Sequence, residues 1–271
     1  MVLPVHDVNP TRRTPVVTYV LLLANIVVFL LSPVALTVAG TGGPQSQCET
    51  LAFFDQYAAK PVEIVENDAP DLVTTDRVGR DARTGEVGCV LEAPGYVKQP
   101  VLSVLTAMFL HGGWLHLLGN LLFLYVFGNN VEDRLGRVRF LLFYLFCGYV
   151  ATYGFALADA GSAVPLVGAS GAIAGVLGAY LVLFPRARVW SLLTFFFFLP
   201  VRLPAWVVLG SWFLLQFLYS RGAGLTDAGG AVAYLAHVIG FAVGALLVLP
   251  LRGTGHDRRI ADPRFGPYVR R

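Results

Sequence analysis

Charge is scarce in this sequence. Only 14% of its 271 residues are charged, whereas a soluble domain carries roughly 25%. Lysine occurs only as Lys60 and Lys98, so arginine supplies almost all of the positive charge. A chain with so little charge cannot cover a globule in water, which excludes disordered, collagen-like and soluble nucleotide-binding proteins. The net charge of +3 is small and dispersed, so nothing indicates a nucleic-acid partner.

The sequence is instead rich in long apolar stretches. Hydrophobic residues make up 56% of the chain, and the mean hydropathy is +0.65. A helix needs roughly 20 apolar residues to cross a bilayer. Six uncharged stretches meet this need, at residues 16–39, 99–131, 140–158, 160–185, 203–220 and 228–251. A seventh, at residues 189–201, is too short to span, and we interpret it as an interfacial or connecting segment. The sequence predicts an all-α membrane protein, a polytopic bundle of six transmembrane helices.

The distribution of arginine orients these helices. Arginines are concentrated in both terminal tails and in the loops after the second and fourth helices. Because cytoplasmic segments carry an excess of arginine and lysine, both termini are predicted to be cytoplasmic. Residues 16–39 exceed the apolar core of a signal peptide, which favours a retained helix. The predicted segments are a cytoplasmic tail (1–15), the first helix (16–39), a long extracytoplasmic loop (40–100), a core with helices two to six (101–251) and a basic cytoplasmic tail (252–271).

The extracytoplasmic loop contains two of the three cysteines. Cys48 and Cys89 lie outside the cytoplasm in this topology, where thiols oxidise readily, so we predict a possible disulfide. Two free thiols are the alternative. Cys147, in the third helix, is interpreted as a packing residue. The loop also carries ten of the 17 acidic residues, and the chain has no C-x-x-C spacing for a metal.

Polar side chains recur in the predicted second and sixth helices. Such groups are costly inside a membrane and are functional candidates by default. His116 and Asn120 are four residues apart and therefore share one face of the second helix. His111 lies just before that helix. His237 occupies the sixth helix at a similar predicted depth, near the outer surface.

A serine among glycines opens the predicted fourth helix. Ser170 lies between Gly168 and Gly171, at or near the helix N-terminus, where free amides can face a developing negative charge. On the sixth helix, Gly240 and Gly244 share the face of the histidine. Small residues on that face predict close packing between the fourth and sixth helices.

These segments bring the components of nucleophilic acyl transfer to one depth. Ser170 can act as nucleophile, His237 can accept its proton, and neighbouring donors can stabilise an oxyanion. Other interpretations remain open for each residue. Ser170 can be helix-packing material, His237 a structural histidine or proton relay, and Asn120 an interhelical hydrogen-bonding group.

A metal site is a further alternative. His111, His116 and His237 could together bind zinc. However, the sequence has no H-E-x-x-H motif and no carboxylate at the same depth, so we predict no metal. An aspartyl protease is disfavoured because no aspartate lies inside a predicted helix.

These motifs together resemble the rhomboid family of intramembrane serine proteases. The resemblance covers about residues 100–251 and the count of six helices. It depends on the order and spacing of three motifs, and the stretch 128–136 also resembles the turn after the family's second helix. The motifs are His111-x4-His116-x3-Asn120, Gly168-x-Ser170-Gly171 and Ala236-His237-x2-Gly240-x3-Gly244.

The resemblance implies a role for each motif residue. Ser170 would be the nucleophile and His237 the general base, with no third carboxylate. The Ser170 amide, His116 and Asn120 would form the oxyanion hole, and His111 would order the preceding loop. The glycines of the three motifs would support the site by allowing close helix approach: Gly168, Gly171, Gly240 and Gly244. No cofactor is implied.

Two positions depart from the family pattern. Some members carry an aromatic residue four positions after the serine, stacked on the imidazole, where this chain has Ala174. Some also have a Trp-Arg pair in the first loop, and no tryptophan of this chain precedes an arginine. The long loop with the two cysteines could replace that structure.

The resemblance implies an intramembrane serine endopeptidase that cleaves transmembrane segments of other membrane proteins near the outer face. Its partners would be those substrates and the lipid bilayer, and the expected location is the bacterial cytoplasmic membrane. The alternative is a catalytically silent relative that binds transmembrane helices. A small transporter is disfavoured because we find neither an inverted repeat nor a charge at the membrane midplane. The oligomeric state does not follow from the sequence.

Overall fold

The computed structural model describes residues 2–36, 42–80, 83–194, 199–222 and 233–252. Within these ranges the chain is mainly helical. The helices are α1 (Val16–Leu31), α2 (Pro44–Tyr57), α3 (Pro61–Glu66), α4 (Pro100–Ala107), α5 (Trp114–Leu135), α6 (Arg137–Ala158), α7 (Ser170–Leu183), α8 (Ala205–Ser220) and α9 (Tyr234–Val248). The strands are β1 (Val2–Asp7), β2 (Val73–Arg80), β3 (Val87–Glu92), β4 (Arg188–Leu193) and β5 (Leu199–Pro204).

The strands correct the prediction of a purely helical chain. The segment predicted as an interfacial connection contains β4 and the start of β5, which pair antiparallel from Arg188 opposite Pro204 to Leu193 opposite Leu199. Residues 195–198 lie outside the described residues. β1 pairs with the other edge of β4, giving the order β1-β4-β5. Sequence patterning missed β4 and β5 because a short apolar run does not separate strand from helix.

The helices differ in how well they match membrane spans. Within the described residues, two helices are long and apolar enough to cross a membrane, Arg137–Ala158 and Tyr234–Leu251. Three shorter apolar helices are Val16–Leu31, Ser170–Leu183 and Ala205–Ser220. The first helix thus ends before the predicted residue 39, and residues 37–41 lie outside the described part. The count of six spans stays a prediction.

The chain divides into two compact units. The first unit contains residues 1–21, 121–151 and 170–271, and the second contains residues 22–120 and 152–169. The core of the first unit is the pair α7 and α9. Its helices approach backbone to backbone: a Cβ added to Gly240 would collide with the Gly171 carbonyl oxygen, and one added to Gly244 would collide with that of Gly175. Only glycine fits at Gly240 and Gly244, because the facing carbonyl oxygens leave no room for a Cβ atom.

Buried polar groups tie the other segments of the first unit together. Glu132 of α5 is buried, and its carboxylate accepts bonds from the Val17 and Thr18 amides at 3.0 and 2.7 Å. A carboxylate at the start of α1 satisfies amides that have no partner within the helix and complements the helix dipole. Arg134 donates to the carbonyl oxygen of Leu251 at 2.7 Å. The stretch 128–136 therefore anchors the start of α1 and the short turn, Leu249–Leu251, that follows α9.

Asp7 is a buried acid at the end of β1. One carboxylate oxygen accepts bonds from Asn130 Nδ2 and the Tyr180 hydroxyl, each at 2.6 Å, and the other accepts from the Asn9 amide at 2.9 Å. Burial disfavours the anion more than these bonds favour it, which raises the pKa of Asp7 from 3.8 to about 7. The first strand is therefore held to α5 and α7 by a group that titrates near neutral pH.

We expect the stability of the first unit to fall as the pH rises from about 4 to about 7. Folded Asp7 keeps its proton over this interval, whereas the unfolded chain releases it, so the stabilisation is complete below the unfolded pKa. The full difference is on the order of 4 kcal/mol. Thermal unfolding in detergent from pH 4 to 8 measures it. Asp7→Asn should flatten the profile, and Asp159→Asn, at an exposed aspartate, should not; an unchanged slope in Asp7→Asn would contradict the assignment.

The second unit contains the segment predicted as an acidic loop. Its residues form α2 and α3 and a hairpin of β2 and β3. Both lysines of the chain are nearly buried here: Lys60 Nζ lies 2.7 Å from Asp55 and Lys98 Nζ lies 2.7 Å from Glu63. A disulfide joins Cys48 of α2 to Cys89 of β3, with the Cα atoms 5.3 Å apart. This loop therefore has structure of its own, held by charge pairs and a covalent bond.

The disulfide should be detectable by electrophoresis. It closes a segment with a sequence separation of 41, for which the chain-entropy estimate is about 4 kcal/mol of stabilisation of the second unit. We expect a reductant-sensitive mobility shift on a non-reducing gel that disappears in Cys48→Ser. Cys147→Ser is the matched control, because Cys147 is a buried free thiol. Two titratable thiols at positions 48 and 89 in the native protein would reject the bridge.

Candidate active site

Ser170 and His237 meet in the first unit. Ser170 is the first residue of α7 and His237 lies in the first turn of α9. His237 Nε2 lies 2.8 Å from Ser170 Oγ, a hydrogen-bonding distance. The contact between Gly171 and Gly240 allows this approach, because each glycine neighbours one of the two polar residues along its helix. The two motifs that the sequence placed on separate helices are therefore brought together.

The second ring nitrogen of His237 also has a partner. Nδ1 lies 2.8 Å from Gln216 Oε1 on α8. The Trp212 ring, one turn earlier on α8, lies 6.0 Å from the imidazole with an interplanar angle of 32°, and Tyr234 meets it edge-on at 6.4 Å. The imidazole is thus bounded by α8 and by its own helix.

Sequence reasoning missed Gln216 and Trp212. The sequence contains a signal for Gln216, because a polar amide inside an apolar stretch is a functional candidate. The same reasoning identifies Asn120 as a candidate site residue. The four-residue spacing from Trp212 to Gln216 also places them on one helix face. Ala174, one turn after Ser170, is fully buried, and its Cβ would lie 3.4 Å from a Cβ added to Gly240. It offers only a methyl group.

Two of the three residues predicted for the oxyanion hole, His116 and Asn120, belong to the second unit. His116 lies in the first turn of α5, and its Nδ1 accepts a long bond from the Gly112 amide at 3.4 Å. That bond leaves the proton on Nε2, so His116 can act as a donor. Asn120 Nδ2 donates to the His116 carbonyl oxygen at 3.0 Å, which uses one of its two amide hydrogens. The oxyanion role of both residues stays a prediction.

His111 and Gly168 shape the two loops before α5 and α7. His111 is buried, its ring meets that of His116 edge-on at 5.1 Å, and its Nδ1 lies 3.3 Å from the Phe109 carbonyl oxygen. Gly168 has φ of +119°, which favours glycine, and its amide donates to the Ala107 carbonyl oxygen at 2.9 Å. Each loop is therefore fixed by local contacts within the second unit.

No metal centre is found in the part of the chain that the structure describes. No three His, Cys, Asp or Glu side chains come together there in a way that could hold an ion. The polar groups around Ser170 are instead arranged as hydrogen-bonding partners. This arrangement suits proton transfer from a hydroxyl to an imidazole.

Comparison with known proteins identifies the class of protein. The Rhomboid domain family profile matches residues 98–254, more than half of the chain. The chain therefore belongs to the rhomboid family, as the three motifs predicted, and it is a helical integral membrane protein. Rhomboid proteins are typically intramembrane serine proteases, so membership supports a membrane protease at the level of the family.

Several named proteins are similar to part of this chain. The chain is 34% identical over 151 residues to Rhomboid-like protein 11, chloroplastic, of Arabidopsis thaliana, covering 53% of this chain and 50% of that protein. It is 32% identical over 149 residues to Rhomboid protein 1, mitochondrial, of Saccharomyces cerevisiae, covering 54% and 40%. It is 44% identical over 81 residues to Rhomboid protease GluP of Bacillus subtilis, covering 29% and 15%. The chain thus spans half or less of the length of these relatives.

Proposed function

We propose that this protein is an intramembrane serine endopeptidase that cleaves transmembrane segments of other membrane proteins near the outer face. The observation that carries the proposal is the 2.8 Å contact between Ser170 Oγ and His237 Nε2. A serine is a weak nucleophile unless an adjacent base accepts its proton, and a neutral imidazole is suited to that task near pH 7.

The dyad would act in two stages. In the first, Ser170 Oγ attacks the scissile carbonyl carbon while His237 Nε2 accepts the hydroxyl proton. The C–N bond then breaks, the imidazolium gives its proton to the leaving amine, and an ester remains on Ser170. In the second, water attacks the ester, His237 accepts a proton from the water, and the ester bond breaks. The proton returns to Ser170, and the new carboxyl end is released. These steps need no cofactor.

The developing oxyanion needs donors. The Ser170 amide lies at the N-terminus of α7, where the first amides have no partner within the helix. We propose that this amide, His116 Nε2 and the remaining amide hydrogen of Asn120 stabilise the negative charge. Removing one such donor typically lowers the catalytic constant by roughly 10²- to 10³-fold.

The proposed topology has six spans, α1 and α5 to α9, with both termini in the cytoplasm. Exposed apolar side chains on α1, α6 and α8 support contact with lipid, among them Leu23, Leu142 and Leu214. In this topology Ser170 lies near the outer end of its helix, where water can reach it. The arginine distribution supports termini that face the cytoplasm. We propose a bacterial cytoplasmic membrane, one of the three locations represented among the named relatives, which are chloroplast, mitochondrial and bacterial proteins.

Reconstitution in liposomes tests the proposal. The purified protein is combined with single-span substrates whose outer helix ends contain small or helix-breaking residues, and the products are mapped by mass spectrometry. We expect a cut in the outer third of the helix, and we expect a fluorophosphonate probe to modify Ser170. Substrate binding with neither cleavage nor labelling of Ser170 would overturn the proposal in favour of a catalytically silent helix-binding protein.

A further inference from the structure

One face of α8 is directed at α9. Trp212, Gln216 and Tyr219 follow the spacing i, i+4, i+7, which places them on a single helix face. Tyr219 packs on Tyr234 with ring centroids 5.1 Å apart, while Trp212 and Gln216 contact His237. The other face of α8 carries exposed apolar side chains, Leu214, Leu215, Phe217 and Leu218. The amide of Gln216 is therefore the polar group on a face that otherwise packs through aromatic rings.

The contact with Gln216 determines which nitrogen of His237 carries the proton. Gln216 Oε1 can only accept a hydrogen bond, so at 2.8 Å the imidazole must donate from Nδ1. In the neutral ring the proton on Nδ1 leaves a lone pair on Nε2, and the Ser170 hydroxyl donates to it. In the opposite tautomer the lone pairs of Nδ1 and Gln216 Oε1 would face each other. Nε2–H would then donate to the Ser170 hydroxyl, and the ring could not accept the serine proton. The amide thus selects the tautomer in which His237 is a base.

The same face also fixes the plane of the imidazole ring. Ala174, the residue one turn after Ser170, presents only a buried methyl group and cannot cover the ring. Trp212 lies 32° from the plane of the imidazole at 6.0 Å, and Tyr234 stands perpendicular to it. A hydrogen bond at Nδ1 and an aromatic neighbour together leave the ring little freedom to rotate about its side-chain bonds.

We propose that Gln216 is a positioning residue for the Ser170–His237 pair, and that α8 thereby supplies the third partner of the site. It accepts a hydrogen bond from His237 Nδ1, holds the ring in one tautomer and one orientation, and remains neutral. This inference rests on the proposed protease function for its kinetic consequences. The tautomer that it assigns to His237 can be tested without any measurement of cleavage.

Nitrogen-15 NMR of histidine-labelled protein in detergent micelles tests the tautomer directly. The chain has five histidines, and the signals of His237 are those lost in His237→Asn. At a pH where the ring is neutral we expect a protonated Nδ1 and an unprotonated Nε2. In Gln216→Leu, which removes the acceptor at similar volume, we expect a mixture of the two tautomers. A wild-type ring protonated on Nε2, or identical spectra in Gln216→Leu, would overturn the inference whether or not the protein cleaves a substrate.

The kinetic arm compares two substitutions at the same position. Gln216→Leu should lower kcat by about 10-fold or more with little change in KM, because the fraction of correctly oriented base falls. Gln216→Glu keeps an acceptor at this position, unlike Gln216→Leu, but adds a negative charge beside the imidazole. Because this charge favours the protonated ring, the acid limb of the rate profile should lie at higher pH than in the wild type. Activity should therefore return at alkaline pH. Ser220→Ala on the same helix is the control and should match the wild type.

The outcomes separate the inference from the function on which it rests. Wild-type cleavage that is unchanged in rate and pH profile by both substitutions overturns the positioning role and leaves the protease intact. An inactive wild type with a protonated Nδ1 that is lost in Gln216→Leu overturns the protease and leaves the tautomer assignment intact. Equal thermal unfolding of all variants shows that the kinetic changes do not come from loss of fold.

Discussion

Replacing Ser170 by alanine should lower the rate of substrate cleavage at least about 10³-fold. The substitution removes the oxygen that lies 2.8 Å from His237 Nε2, so the base no longer has a serine proton to accept. Without the nucleophile, the remaining donors can stabilise a tetrahedral intermediate formed only by direct attack of water. Cleavage rates in liposomes, at substrate concentrations above and below KM, measure the effect.

The fold should tolerate this change. Ser170 is half-buried and its side chain forms a hydrogen bond with His237, so alanine leaves only a small gap at the start of α7. Thermal unfolding should therefore remain within a few degrees of the wild type. Ser46→Ala, at a partly exposed serine in α2, is the matched control and should cleave normally. Residual cleavage by Ser170→Ala at the wild-type rate would show that another group is the nucleophile.

The second large effect is expected at the glycines between α7 and α9. A Cβ added to Gly178 would collide with the Phe241 carbonyl oxygen, and one added to Gly244 would collide with that of Gly175. Both obstacles are backbone atoms, which cannot yield by changing rotamer. Overpacking typically costs roughly 1–3 kcal/mol, and we expect Gly178→Ala and Gly244→Ala at the upper end of that range. Unfolding in detergent and protease sensitivity of the first unit measure the loss.

A matched control exists on α8. Gly210 is also a helical glycine, but a Cβ added there would meet no atom within 4 Å. Alanine has the higher helix propensity by about 1 kcal/mol, so Gly210→Ala should be neutral or stabilising. If Gly178→Ala, Gly244→Ala and Gly210→Ala were equally stable, the close packing of α7 on α9 would be refuted. If only the first two lose stability and cleavage together, the packing is what holds the serine and the histidine in contact.

The sequence predicted the family and the parts of the site that are carried by motifs. Ser170 and His237 could be paired because glycines mark both helices at the contact, and glycine spacing is visible in a sequence. Gln216 could not be paired in the same way. Its role depends on the rotation of α8 about its own axis, and the stretch 203–220 is apolar on all sides, so no periodicity fixes that rotation.

The N-terminal and loop segments were less predictable for a different reason. β1 exists because β4 offers an edge more than 180 residues further along the chain, and such pairing leaves no local signature. Nothing in the sequence singles out Asp7, because an acid near a terminus is ordinarily solvated. Its burial depends on Asn130 and Tyr180, which contact it only after the chain has folded. Tertiary contacts, and not local pattern, determine these features.

The two kinds of helix contact at this site place different restrictions on sequence change. Where α7 meets α9 through backbone atoms, a single residue type fits, and no substitution elsewhere can make room. Where α8 meets α9, the contacts run through side chains, and a lost amide or ring can be replaced by another pair of similar reach. We therefore expect the third partner of the imidazole to change its chemistry and its helix among diverging relatives. The glycines where α7 meets α9 should stay unchanged: Gly171, Gly175, Gly178, Gly240 and Gly244.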